Sequence, residues 1–471
     1  MKLASSLTTR QRVDQRGSAD NAQVAARSDC GVTYVSIWTN AIKSDAIATI
    51  EELSTPDGKH LLASRDSARK FSVIARSSSK TAALILAVAA VLMPPAASRA
   101  EPGVFADRIV FGQSAAFTGP TADLGLGMRQ GILAAFKEAN SAGGVGGRRL
   151  DLISHDDGYE PEKAIENTNR LINEDEVFAL VGEVGTPTSQ AAQPIATAAH
   201  VPFIGPFTGA PFLRNPSLDN VVNVRASYCQ ETEAWIEHLT KDLGLTRVAI
   251  LYQDDSYGLA GRSCMVEALA RRGMKLVGEG TYMRNTTAVK TALLAIRKAN
   301  PQAVGMVGAY APCAEFIRLA REIGSHWVFV NISFVGPDAL ARELGKNGQG
   351  VVITTVVPFP KEAKIPLVAE YQKALKAADP EAAPGFVSLE GYMVGRLVVQ
   401  ALDRLGKQVT RADLLATIKK VGTFDLGGVT LNYSATNNQG MQEVFLTEIQ
   451  ADGGIKPIAR LEDLTFLEGR Q

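Results

Sequence analysis

A chain of 471 residues with 46% hydrophobic and 21% charged content has the composition of an ordinary globular protein and the length for two or three domains. Lysine plus arginine and aspartate plus glutamate balance at 49 each, so no basic excess draws in nucleic acid or anionic lipid. No segment reaches the roughly 20 consecutive apolar residues that span a bilayer.

Residues 1–72 show no sustained apolar period and read as a non-native or unstructured leader, as from a start site placed too far upstream. Residues 73–100 read as a secretory signal peptide. Arg76 to Lys80 form a basic n-region, residues 81–93 (TAALILAVAAVLM) an apolar h-region, and residues 94–100 (PPAASRA) a small-residue end cleaved after Ala100. The competing reading of 81–93 is a buried helix. Cleavage would leave a mature periplasmic protein without a membrane span.

From residue 107 onwards strands and helices alternate. Strand 109–113 leads through a glycine- and proline-marked loop, 115–125, to helix 128–141; a GGVGG turn at 143–147 precedes strand 150–154 and helix 161–174. The stretch 178–214 holds strand 178–181, the alanine-rich helix 189–200 and strand 201–204, with polar glycine-bearing loops at 182–188 and 205–210. A crossing at 221–226 opens a second series: helix 231–243, strand 247–252, helix 259–272, strand 275–282, helix 288–299, strand 303–307, helix 313–323, strand 327–331, helix 338–344 and strand 351–357. A second crossing at 358–360 leads to helices 367–377, 388–405 and 412–421, and the chain ends in an antiparallel pair, 429–433 with 443–449. Repeated βα units predict parallel sheets whose carboxyl-end loops hold ligands.

Enzyme motifs do not assemble. Gly125, Gly127 and Gly131 sit too far from their strand, at the wrong spacing, for a dinucleotide loop, and read as close helix packing. GGVGG lies before a strand rather than a helix, the wrong polarity for cradling phosphate. There is no GxSxG elbow, and His155, His200, His238 and His326 have no matched nucleophile. Asp156-Asp157 and Asp254-Asp255 read as solvated strand ends or helix caps, with cation binding or acid–base work as the alternative. Cys30 lies in the leader; Cys229, Cys264 and Cys313 are expected as buried thiols, although export permits one disulfide. Without CxxC, a Cys/His cluster or HExxH, neither structural zinc nor a cofactor is expected.

Several segments carry a resemblance: FTGP at 117–120, LVGEVGTPTSQAAQPIA at 180–196, QDDSYG at 253–258, GAYAPCAEFIRLAREIG at 308–324 and GYMVGRLVVQAL at 391–402. In order and spacing they resemble the periplasmic solute-binding proteins of ABC transporters that include the leucine/isoleucine/valine-binding proteins, from Asp107 to about Ile458. The resemblance implies the type I periplasmic-binding-protein fold: α/β, two Rossmann-like lobes with mainly parallel sheets joined by a three-crossing hinge. Lobe 1 would be 107–226 plus 358–440, and lobe 2 would be 227–357 plus 441–461.

The family's ligand positions carry over to Thr186, whose hydroxyl would take a ligand carboxylate, and to Phe207, Thr208 and Gly209 in the next loop. Gly209 stands where amino-acid binders often have a hydroxyl, and Thr208 would substitute. From the second lobe come Tyr257 and Tyr310, with Ser333 and Phe334 where amino-acid binders place an acid for the ammonium group; the next carboxylate is Asp338. Leu124 stands where an aromatic is common. Each has a plainer role as cap, turn or packing residue. The implied function is non-enzymatic capture of a small carboxylate, an amino acid or an aromatic or aliphatic acid, by a monomer that delivers it to ABC transporter permease subunits. The alternative is a ligand-sensing module of the same fold.

Overall fold

The computed structural model describes residues 24–29, 32–37, 101–406 and 408–464, and the chain divides into compact units over Met1–Ala96 and Ala97–Gln471. In the first unit, strands β1 (Val24–Asp29) and β2 (Val32–Ile37) form an antiparallel pair in register Val24 to Ile37. Of the leader expected over residues 1–72, only these two strands are among the described residues. The expected signal peptide lies outside the described residues.

In the second unit, strand β3 (Arg108–Ala115) leads to helix α1 (Ala122–Ser141), β4 (Arg149–Asp156), α2 (Pro161–Asn173), β5 (Ala179–Val181), α3 (Thr186–Ala198), β6 (Phe203–Ile204) and β7 (Val221–Val222). The strands form a parallel five-stranded sheet, order β4-β3-β5-β6-β7. The chain then runs through α4 (Tyr228–Lys241), β8 (Val248–Gln253), α5 (Ser256–Ala270), β9 (Gly278–Tyr282), α6 (Lys290–Lys298), β10 (Ala303–Val307), α7 (Tyr310–Glu322), β11 (Val328–Asn331), α8 (Pro337–Leu344) and β12 (Val352–Thr355). Helices α9 (Pro366–Ala378), α10 (Phe386–Asp403) and α11 (Arg411–Val421) follow, then β13 (Thr423–Asp425), β14 (Thr430–Asn432), β15 (Phe445–Ile449) and β16 (Ile455–Ile458). The second sheet has the order β16-β15-β12-β11-β10-β8-β9, parallel except for β15 and β16.

Both sheets reverse strand order beside their first strand, between β3 and β5 and between β8 and β10. Such a reversal opens a crevice at the carboxyl ends of the strands. The chain passes between the sheets after β7, after β12 and after β14. The first and last crossings run side by side, with Asn223 N donating to Asn438 O at 2.8 Å and Gly440 N to Asn223 O at 2.8 Å. The fold is that of type I periplasmic binding proteins, as the resemblance implied.

Some boundaries differ from expectation for physical reasons. Helix α1 begins at Ala122, earlier than its apolar period suggests, because Gly125 and Gly131 serve contact rather than flexibility. A Cβ at Gly131 would stand 1.9 Å from the Ser388 carbonyl oxygen of α10, and one at Gly125 would stand 1.9 Å from that of Ala116. Helix α3 begins at Thr186 because Pro187 occupies its first turn, where proline's missing N–H costs nothing. The expected pairing of 429–433 with 443–449 does not form. Instead β14 pairs with β13, and β15 adds antiparallel to β12, since residues 438–441 are drawn into the crossing beside Asn223 and Val224. Cys229 and Cys264 are joined in a disulfide, which corrects the expectation of three thiols, while Cys313 is a buried free thiol. The packing of α4 beside α5 brings the two Cα atoms to 4.6 Å.

Candidate ligand-binding site

The crevice is built from loops that leave the carboxyl ends of β5, β6, β8 and β11. After β5, Gly182–Gly185 turns the chain into α3 and sets Thr186 at the helix start. After β6, residues 205–210 carry Phe207 and Thr208 to the same place. The Thr186 and Thr208 hydroxyls are fully buried and 2.7 Å apart. Beside them is the Tyr228 hydroxyl, 3.4 Å from Thr186 Oγ1 and accepting from Thr208 Oγ1 at 3.2 Å. Gly209 lies under the Tyr228 ring: a Cβ there would come within 2.4 Å of Cδ1 and 2.7 Å of the Tyr228 backbone nitrogen.

Facing the hydroxyls is a buried group of aromatic rings from both sheets. Phe334 lies 4.6 Å from Tyr257, 5.3 Å from Phe207 and 6.0 Å from Tyr159, and Tyr228 lies 5.6 Å from Tyr257, all between ring centroids. The Tyr257 hydroxyl donates to Gly308 O at 3.2 Å. Burial pushes the Tyr257 and Tyr228 phenols above their ordinary range, with nearby Arg225 opposing the rise at Tyr228. Such rings form an apolar wall with hydroxyl edges.

The Arg225 guanidinium, fully buried, lies 4.6 Å from the Phe207 ring centroid. It donates to Ser333 Oγ and lies 4.0 Å from Glu231 Oε1 and 3.5 Å from Glu390 Oε1. Burial lowers its basicity, but Glu390 and Glu231 together outweigh that and hold it charged. Behind it, Arg214 donates from Nη1 to Thr208 O at 2.9 Å and Ala210 O at 3.0 Å, and burial followed by Arg225 pushes its pKa down to about 9. Arg214 thus fastens the backbone of the Thr208 loop, and Arg225 lies against Phe207 of the same loop.

Glu231 supplies the carboxylate that linear order withheld from residues 332–337, so an acid does stand beside Ser333. It is already engaged: Ser333 Oγ donates to Oε1 at 2.8 Å, while Ser333 N at 2.8 Å and Thr354 Oγ1 at 2.6 Å donate to Oε2. Glu390 has no such donors, and burial raises its pKa to about 7 despite Arg225. Ser333 is thus spoken for by protein groups on both sides.

The expected site residues fall into two places. Thr186, Phe207, Thr208, Gly209, Tyr257, Ser333 and Phe334 meet in the deep group. Leu124 and Tyr310 do not join it. Leu124 sits in the first turn of α1 rather than in a loop, its Cδ2 2.6 Å from where a Gly336 Cβ would be. Tyr310 opens α7, its Cδ1 3.7 Å from the same point, and burial followed by Asp123 raises its phenol to about 12. Leu124 lines a groove of about 530 Å³ with Asp123, Gly336 and Arg342. Phe207, Ser333, Pro337, Thr355, Phe386 and Glu390 line a space of about 10 Å³, room for about one water. A larger groove of about 700 Å³, at Leu243, Asn300 and Trp327, lies at the amino ends of the second sheet's strands, away from the crevice.

Sequence order concealed Tyr159, Arg225, Tyr228, Glu231 and Glu390. One signal was present, since an arginine inside the apolar run Val221-Val-Asn-Val-Arg225 needs a buried partner. Of the acidic pairs, Asp156 and Asp255 act as strand-end and cap residues, whereas Asp157 departs from the expected solvated end: it is fully buried and accepts from Ser114 Oγ and Tyr159 N at 2.8 Å each. Asp156 accepts from Phe117 N and Thr118 Oγ1, and Asp255 caps α5 by accepting from Tyr257 N at 3.0 Å. Among the described residues, no group of three or more His, Cys, Asp or Glu is gathered as for a metal ion, and no helix is long and apolar enough to cross a membrane.

Residues 108–454 match the family described as periplasmic binding protein. The chain is 25% identical over 362 residues to a leucine-, isoleucine-, valine-, threonine- and alanine-binding protein of Pseudomonas aeruginosa, covering 73% of this chain and 93% of that one. A crystal structure of a possible leucine/isoleucine/valine-binding protein from Rhodopirellula baltica superposes with a TM-score of 0.73 at 40% identity, covering 76% of this chain and 98% of that one. A leucine-binding protein from Thermotoga maritima shares the fold with a TM-score of 0.67 at 21% identity, covering 74% and 97% of the two chains. With its switch-point crevice between paired α/β sheets, the chain belongs to the periplasmic binding protein family and is similar to its leucine/isoleucine/valine-binding members.

Proposed function

We propose that the protein is an extracytoplasmic solute-binding protein that captures a small carboxylate between its lobes and delivers it to the permease of an ABC importer, without catalysis. The observation that carries this reading is the pair of buried hydroxyls, Thr186 and Thr208, 2.7 Å apart at the carboxyl ends of β5 and β6, on a loop that Arg214 holds through the Thr208 and Ala210 carbonyls. Charge-assisted hydrogen bonds to a carboxylate are worth about 1.5–3 kcal/mol each. The lobes are taken as 107–226 plus 358–440 and 227–357 plus 441–461, and export as following cleavage near Ala100.

Amino-acid binding by the relatives supports an amino acid as ligand. The aromatic wall and the engaged Glu231 also suit an aromatic or aliphatic acid without an ammonium group. The test is a thermal-shift screen of branched-chain amino acids, benzoate, phenylacetate and hexanoate, followed by calorimetric titration of the best hit. Thr186→Ala is expected to weaken that hit about 10-fold or more, one charge-assisted bond. Unchanged affinity would remove the carboxylate assignment.

A further inference from the structure

Gly209 withholds a hydroxyl from the loop after β6, and the reason is steric: the Tyr228 ring and backbone fill the space a Cβ would need. The chain places the phenol there deliberately. Ser227 and Gln230 form a reciprocal capping box at the start of α4, Tyr228 N donates to Gly209 O at 2.8 Å, and the next residue, Cys229, is tied to Cys264 of α5. These restraints hold the ring against Tyr257 and its hydroxyl at 3.4 Å and 3.2 Å from those of Thr186 and Thr208.

We propose that Tyr228 is a ligand-contacting, specificity-determining residue, its hydroxyl completing with Thr186 and Thr208 a three-hydroxyl receptor for the ligand carboxylate in place of the side chain that Gly209 lacks. The inference rests on the carboxylate reading above. Each hydroxyl carries one proton that can turn toward an acceptor, and an ionised carboxylate has about four acceptor sites. In this arrangement the three hydroxyls bond one another, and Thr208 Oγ1 also accepts from Ala210 N at 3.2 Å; an incoming carboxylate would take over the protons they exchange. The neighbouring Arg225 charge favours an anion at this point. The phenol does more than a serine would: its ring continues the wall of Tyr257 and Phe334, so the carboxylate is held at the edge of an aromatic surface. That geometry favours acids whose apolar body begins close to the carboxylate.

A buried tyrosine that merely packs would also find partners for its hydroxyl, so the test must separate recognition from packing. Calorimetric titrations compare benzoate, hexanoate and L-leucine with their methyl esters on the wild-type protein and on Tyr228→Phe and Thr186→Ala variants. For the tightest acid, Tyr228→Phe is expected to weaken binding about 10- to 100-fold, equivalent to about 1.5–3 kcal/mol. The ester should change less than about 2-fold, so that acid-over-ester preference collapses. Equal weakening of acid and ester marks a packing role and overturns the proposal. Loss in Thr186→Ala with none in Tyr228→Phe overturns it while leaving the carboxylate reading intact. No loss in either variant, or no acid bound by the wild type, removes that reading and the proposal together. As a converse check, Gly209→Ser should displace the ring and lose acid affinity, and Tyr228→Ala in the same chain should restore part of it.

Discussion

Glu390 shows how one buried side chain sets a pH dependence. It faces Arg225 at 3.5 Å, with Arg214 and Glu231 also acting on it, and burial raises its pKa from 4.5 to about 7. Because the folded value lies above the unfolded one, folding favours the protonated form. That contribution is complete below about 4.5 and is lost as pH rises through about 7. The full span is about 3 kcal/mol at most. Glu390→Gln, which cannot ionise, should therefore gain stability relative to the wild type between pH 5 and pH 8, read from urea unfolding at each pH; a constant difference would show that Glu390 does not titrate there. Gly131 is the steric counterpart. Gly131→Ala drives a methyl group into the Ser388 carbonyl and should cost about 3 kcal/mol, the upper range for overpacking.

Among the elements, the pairing of α4 with α5 matters most for the site, since the first carries Tyr228 and Glu231 and the second Tyr257. The Cys229–Cys264 bridge closes a separation of 35 residues, for which chain-entropy arguments give about 3–4 kcal/mol. Replacing both cysteines by alanine should lower unfolding stability by that order, and should weaken acid binding more than an equally destabilising change remote from the crevice. Equal effects would show that the bridge stabilises without positioning. The α1–α10 contact works differently: Gly131 of one helix and Gly391 of the other lie against backbone of the partner. Its strength comes from close backbone approach.

For the whole molecule, the proposed capture would require the crevice to open, and two clasps across it would oppose that motion. On one side Arg284 pairs with Glu160 at 2.7 Å and Asp255 at 3.2 Å, while Asn285 donates to Gly158 O at 3.0 Å. On the other, Arg342 pairs with Asp123. Exposed pairs contribute about 0.2–1 kcal/mol, so Arg342→Ala should raise Kd only about 2- to 5-fold. The partly buried Arg284 network should cost more, about 10-fold. X-ray scattering should show a larger radius of gyration for ligand-free Arg284→Ala than for wild type. An unchanged radius would mean that the clasp does not hold the lobes.

What the sequence alone determined was the alternation of strands and helices, because apolar period and glycine or proline breaks act locally. Strand Ala303–Val307 fell where expected, and the loops holding Thr186, Thr208, Tyr257 and Phe334 were legible as strand ends. Tertiary structure decided which groups meet. Glu231 reaches Ser333 across 102 residues, and Glu390 reaches Arg225 from a helix after the second crossing; no local pattern encodes either contact. The glycine that reads as a missing hydroxyl in the chain is, in the fold, the floor beneath Tyr228. Side chains distant in sequence fill one closed volume, and only their packing determines which hydroxyl stands there.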